Sequence, residues 1–181
     1  EWAEADGEMG TLGAVRVGDV NGDGRPDVIV QECGCCGVNS GKTGFAYSFA
    51  MDFTPTQLWT MPSVACGGSR TLGLIDADGQ GPLEVLISAY QTLSLLDGAT
   101  GATLATTPQL GTWTSVSFCR GVNLDAMPGD ELVCLVNSSD LPAVNQRKAY
   151  AVKYDPIAKT LTQLWSVIVA PDAGGDMAWV D

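Results

Sequence analysis

The stretch GDVNGDGRPDVIV, Gly18 to Val30, sets three aspartates and one asparagine within nine residues and then runs directly into apolar side chains. Counted from the first oxygen-bearing residue, Asp19, Asn21, Asp23 and Asp27 fall at positions 1, 3, 5 and 9, with Gly24 at 6 and Arg25 at 7. Alternate positions of a tight loop turn their side chains toward one centre. A hard cation such as Ca²⁺ wants about six to eight oxygens at roughly 2.3–2.6 Å and accepts irregular geometry. The four side chains and the backbone carbonyl of Arg25 are therefore candidate ligands, and Gly24 permits the sharp bend. The first half reads like an EF-hand loop. Position 12, however, is Val30 instead of Glu, and the residues that follow alternate like a strand, so the EF-hand fold is excluded while its coordination logic is kept. Three carboxylates at this spacing repel one another unless a cation sits between them.

The pattern recurs. LIDADGQGPLEVLIS, Leu74 to Ser88, places Asp76, Asp78, Gln80, Pro82 and Glu84 at positions 1, 3, 5, 7 and 9. VNLDAMPGDELVCLV, Val122 to Val136, is a weaker copy with Asn123, Asp125, Met127 and Glu131 at 1, 3, 5 and 9. A thioether is too soft for Ca²⁺, so the third loop is expected to be a weak or degenerate site, with Asn123 and Asp125 making turn hydrogen bonds and Asp130 as a substitute ligand. The loops start at Asp19, Asp76 and Asn123, a period near ~50 residues, and MAWVD, Met177 to Asp181, resembles the lead-in to a fourth.

Between the loops the sequence reads as β-structure, with no window of helical period. The first unit offers strands at Leu12–Gly18, Asp27–Val30, Phe45–Met51 and Gln57–Thr60. The second offers Thr71–Ile75, Leu83–Ala89, Thr92–Leu96 and Ala102–Ala105; the third offers Trp113–Cys119, Leu132–Val136, Ala149–Tyr154 and Leu161–Val169. DGATG, Asp97 to Gly101, and YDPIAKT, Tyr154 to Thr160, supply turns between third and fourth strands. Four strands per unit is the count of a propeller blade. The predicted fold is thus all-β, a partial β-propeller as one repeat domain over 1–181, with blades near 11–61, 70–107 and 113–169 and the first strand of a fourth at 176–181.

Composition narrows the function. The chain has 181 residues, 9 basic against 21 acidic side chains and a net charge of −12, which argues against nucleic acid and anionic membranes as partners. It contains no His, which removes Ser-His-Asp and Cys-His catalysis and the usual zinc ligand. No apolar run reaches the ~20 residues that span a bilayer as a helix. Six cysteines, an even number, point to an oxidising compartment.

The run D-V-N-G-D-G-R-P-D followed by V-I-V resembles the FG-GAP/VCBS repeat, the blade unit of integrin α-subunit propellers, and DADGQGPLE and NLDAMPGDE resemble diverged members. The resemblance covers nearly the whole chain as three units; the phenylalanine-glycine and glycine-alanine-proline signatures of the family are missing. It implies a loop that joins the innermost strand of each blade to the second and binds Ca²⁺. It further implies a non-catalytic, secreted or cell-surface calcium-binding segment, extracellular or periplasmic, that mediates adhesion-type protein or glycan contacts. Three blades cannot close a ring. The chain is therefore expected to be a fragment, or to be completed by further blades from the same precursor or another chain. Two other readings stand beside this one. One is part of a propeller enzyme, a quinoprotein-like oxidoreductase or a polysaccharide-acting protein, to which DGATG is similar. The other is a structural subunit of a larger extracellular assembly.

The cysteines fall in two groups. Cys33, Cys35 and Cys36, with Cys66, are candidates for disulfides or for an iron–sulfur or zinc site. Blade geometry would bring segments 31–43 and 61–70 to one face, so that Cys66 reaches the cluster. A bridge between the adjacent Cys35 and Cys36 would leave Cys33 for Cys66. Cys119 and Cys134 flank the third loop and come within disulfide reach if the hairpin register slips by one residue. NSGKT, Asn39 to Thr43, mimics the end of a phosphate-binding loop, but position 36 holds Cys instead of the first glycine and no strand-loop-helix context surrounds it. Asn137-Ser138-Ser139 is a glycosylation sequon. The tryptophans of LWT and LWS sit near strand ends, where packing between blades is the expected role.

Overall fold

The computed structural model describes residues 11–33, 42–64, 70–89, 91–109, 113–138 and 147–169. They form twelve strands: β1 (Thr11–Gly18), β2 (Asp27–Cys33), β3 (Lys42–Phe49), β4 (Pro55–Val64), β5 (Arg70–Ile75), β6 (Glu84–Ala89), β7 (Thr92–Leu96), β8 (Thr103–Thr106), β9 (Trp113–Val122), β10 (Glu131–Ser138), β11 (Arg147–Asp155) and β12 (Thr160–Val169). No helix occurs among the described residues. The strands make three antiparallel sheets of four, each a run of consecutive strands, in the orders β1-β2-β3-β4, β5-β6-β7-β8 and β9-β10-β11-β12. All twelve segments read from apolar alternation are strands, with ends that differ by a few residues. The segment 176–181, expected as a thirteenth strand, lies outside the described residues.

The second sheet lies between the other two, and its sequence shows why. Val85 and Ile87 of β6 pack with Val20, Ile29, Ala46, Trp59 and Leu96 in one core, while Leu86 joins Leu93 and Leu95 in another with Leu132, Val136, Tyr150, Val152 and Leu161. Side chains two apart share a face and neighbours point oppositely. The unbroken apolar run Val85-Leu86-Ile87 therefore requires cover on both faces, which the first and third sheets provide. The first strands of the sheets lie side by side, β1 against β5 and β5 against β9, and β8 meets β12 toward the other end. Every first-to-second-strand loop thus emerges at the same place on its sheet, next to its counterpart.

Candidate metal centres at the strand corners

All three loops are built on one hydrogen-bond frame. The ninth-position carboxylates, Asp27, Glu84 and Glu131, open the second strands of their sheets and are buried. Each reaches back across the corner. Val20 N–H donates to Asp27 Oδ2 at 3.0 Å, Ala77 N–H to Glu84 Oε2 at 2.8 Å, and Leu124 N–H to Glu131 Oε2 at 2.7 Å. The third-position oxygen accepts from the N–H two residues on. The bonds are Asp23 to Asn21 Oδ1, Gln80 to Asp78 Oδ1 and Met127 to Asp125 Oδ1, each 2.9 Å. This is the Asx turn that makes Asp and Asn turn formers. The first-position oxygen accepts from Gly22 (2.7 Å), Gln80 (3.1 Å) and Ala126 (2.7 Å) respectively. Position 4 is left-handed in every loop, at φ +79° for Gly22, +71° for Gly79 and +60° for Ala126.

Neighbouring loops are also tied to each other. Leu83 N–H donates to Asp19 O at 3.0 Å, and Asp130 N–H donates to Asp76 O at 2.8 Å. Both bonds run from position 8 of one loop to position 1 of the loop before it. The fit leaves no room for side chains. A Cβ on Gly79 would lie 2.5 Å from Gly129 N, and one on Gly22 would lie 2.9 Å from Pro82 Cγ.

Among the described residues, the second loop gathers Asp76, Asp78 and Glu84 so that one oxygen from each lies within 4.8 Å of the others. Oxygens on opposite sides of a cation at ~2.4 Å stand about 4.8 Å apart, so the spacing of the three is one that could hold a hard ion. The electrostatics agree. Burial pushes the Glu84 carboxyl up to about 7, against the pull of the Ala77 N–H, and the Asp78 and Asp76 charges add to the rise. A carboxylate held in this state is relieved by an adjacent cation. Gln80 and Pro82, at positions 5 and 7, are exposed on the rim.

In the first loop the same residue types are occupied differently. Asp19 Oδ1 and Oδ2 accept from Gly22 and Gly24 N–H at 2.7 and 2.8 Å, and Asp23 Oδ1 accepts from Arg25 N–H at 2.9 Å. The Asn21 amide donates to Asp27 Oδ1 at 3.3 Å. Asp19, Asn21, Asp23, Arg25 and Asp27 share one corner, with the carboxylates spread over backbone N–H groups instead of drawn to a common point.

The third loop holds what sequence reading missed. The Nζ of Lys153, from β11, donates to Glu131 Oε1 at 2.7 Å and also to Asp125 Oδ2. The hydrogen bond to Asp125, then that to Glu131, raises the lysine pKa; the same contact to Lys153 holds Asp125 below the usual carboxylate range. Asn123 Nδ2 donates to Met127 O at 2.7 Å, so Met127 contributes its carbonyl to the turn. The expected turn bonds of Asn123 and Asp125 are present. Asp130, the expected substitute ligand, lies between the two corners, its backbone N–H donating to Asp76 O and its carboxyl feeling the charges of Asp76 and Glu131. Burial raises its pKa, with the Asp76 and Glu131 charges adding. Tyr154, one residue beyond Lys153, is buried beside the second corner; burial and then the Glu84 and Asp78 charges hold its phenol above the usual range. Neither Lys153 nor Tyr154 carries a local signal, because each is brought to its loop by strand register.

Cys119 and Cys134 form a disulfide between directly opposed residues of β9 and β10, with Cα atoms 4.1 Å apart. The pairing Glu131↔Val122 sets the register one residue from a symmetric loop closure, and this slip brings the sulfurs together. Cys33 ends β2, opposite Thr11; Cys35, Cys36 and Cys66 lie outside the described residues. Lys42 and Thr43 of the phosphate-loop look-alike open strand β3. The described part of the sequon, Asn137 and Ser138, ends β10. Compared with family models and with characterised protein sequences, the chain matches none.

Proposed function

We propose that the chain is a calcium-binding segment of a β-propeller, FG-GAP/VCBS-like, secreted or displayed at a cell surface, without a catalytic role, whose corners carry protein or glycan contacts. The observation that carries this reading is the convergence of Asp76, Asp78 and Glu84 on one point of a strand corner whose frame is repeated three times. In this reading the ion has a structural role. It neutralises the acidic corner, locks the first strand of a blade to the second, and stiffens the row of interlocked loops. The Cys119–Cys134 disulfide supports an oxidising compartment. The exposed apolar side chains of β12, Leu164, Trp165, Val167 and Ile168, support a second feature of the proposal, further blades packed on the third sheet.

Calorimetry decides the metal reading. Calcium at about a hundred times its Kd stabilises a folded protein by ~2.7 kcal/mol per site, so EDTA should lower Tm by several degrees, and D78N should lose the second corner's share of the calcium response. An unchanged Tm in EDTA, with no metal found by elemental analysis, rejects it. The compartment is read by thiol titration of denatured, unreduced protein, in which at most two free thiols are expected.

A further inference from the structure

We propose that the Lys153 ammonium is the resident cation of the third corner, so that this corner needs no divalent metal and admits none. The inference rests on the calcium reading of the first two corners. Its starting point is the pair of contacts from Lys153 Nζ to Asp125 and Glu131, the third- and ninth-position residues of the loop. In the second corner, residues at the corresponding positions, Asp78 and Glu84, belong to the cluster that fits a cation. The ammonium therefore sits where the metal would sit.

Three features argue that this is a substitution and not a chance surface pair. Glu131 is fully buried, and a buried carboxylate without a positive partner is strongly destabilising. The 1-3-5-9 positions have lost a charge in step. The first loop sets Asp19, Asp23 and Asp27 at these positions and the second Asp76, Asp78 and Glu84, whereas the third sets only Asp125 and Glu131 there, with Asn123 at position 1 and Met127 at position 5; its other acid, Asp130, stands at position 8. The lysine also occupies a defined place in the repeat. Extending the β10–β11 register by one pair sets Lys153 opposite Glu131, while the same extension sets Ser48 opposite Asp27 and Asp97 opposite Glu84. Asp97 is engaged with Thr100, its Oδ1 accepting from the backbone N–H at 2.8 Å and from the hydroxyl at 2.7 Å. Only the third sheet puts a cation at this cross-strand position. A divalent ion placed there as well would set two positive centres within a few ångströms, where they repel each other.

Amide hydrogen exchange followed by NMR tests this on the whole chain, with calcium chloride and EDTA as the probes. In the wild type, calcium should slow exchange at Ala77 and Gln80, and at Val20 and Asn21, while Leu124 and Met127 change less than about twofold. K153M should speed exchange at Leu124 and Met127 by about tenfold and leave Val20 and Ala77 unaffected, and K153R, which keeps the charge, should preserve the protection. Calcium-dependent exchange at Leu124 in the wild type, a third tightly bound calcium equivalent, or unchanged exchange in K153M would each overturn the proposal. Insensitivity of every corner to calcium would reject the metal reading of the first two loops, and the K153M and K153R arm would still decide the role of the lysine in the third.

Discussion

The indole N–H of Trp59 donates to the carbonyl oxygen of Gly98, 2.6 Å away and 39 residues further along the chain. Trp59 lies on β4 of the first sheet and Gly98 in the β7–β8 turn of the second, so the bond joins two repeat units. The ring also rests against Gly101, where a Cβ would come within 2.7 Å of it. The motif is repeated: Thr56-Gln57-Leu58-Trp59 on β4 recurs as Thr162-Gln163-Leu164-Trp165 on β12, each tryptophan six residues after a residue at positive φ, Phe53 or Lys159. Trp59 is 7% exposed, whereas Trp165 is 41% exposed. Identical local sequence therefore meets different surroundings. W59F should cost about 1–3 kcal/mol, because the buried Gly98 carbonyl loses its donor, while W165F should stay within ~0.5 kcal/mol. Urea unfolding of the two variants checks this, and equal losses would contradict the assignment.

Ala126 is the alanine of the frame. Its φ of +60° matches Gly22 and Gly79 at the same loop position, but an L side chain in this region carries a steric cost of roughly 1 kcal/mol. A126G is expected to raise stability by about 0.5–1 kcal/mol, since the relief of strain exceeds the added freedom of the unfolded chain. G79A should do the reverse and more strongly, because its Cβ meets the Gly129 and Pro128 backbone at 2.5 and 2.8 Å. Thermal unfolding of both variants under one condition measures the contrast.

Glu84 makes the metal-free protein pH-dependent. Its carboxyl is raised from 4.5 to about 7, first by burial and then by Asp78 and Asp76. Between these values the folded state holds a proton that the unfolded chain has released. This contribution to stability is therefore complete below about 4.5 and is lost as pH rises through 7. At 1.36 kcal/mol per pKa unit the swing is about 3 kcal/mol. In EDTA, unfolding free energy measured from pH 5 to pH 8 should fall with pH, and E84Q should flatten the slope. Saturating calcium should flatten it as well, because a bound cation stabilises the ionised form.

The sequence by itself determined the elements that depend on neighbours along the chain. Short alternating or unbroken apolar runs marked the twelve strands, since a strand buried on one face alternates within five or six residues and one buried on both is apolar throughout. The 1-3-5-9 spacing marked the three corners, since an Asx turn and its closing carboxylate span nine residues. Those signals are local and survive in isolation. Three decisions belonged to the tertiary structure alone. Strand register put Lys153 on Asp125 and Glu131, more than twenty residues away, and so separated the third corner from the second, although Met127 had already marked it as the weaker site. The one-residue slip of the β9–β10 hairpin set Cys119 directly against Cys134. Sheet-on-sheet packing buried Trp59 and left Trp165 exposed, though the residues around them are nearly the same. For Lys153 and Trp59 the deciding interaction joins residues whose separation in sequence carries no pattern, and for the two cysteines, whose placement around the loop was legible, the register alone decided that they meet.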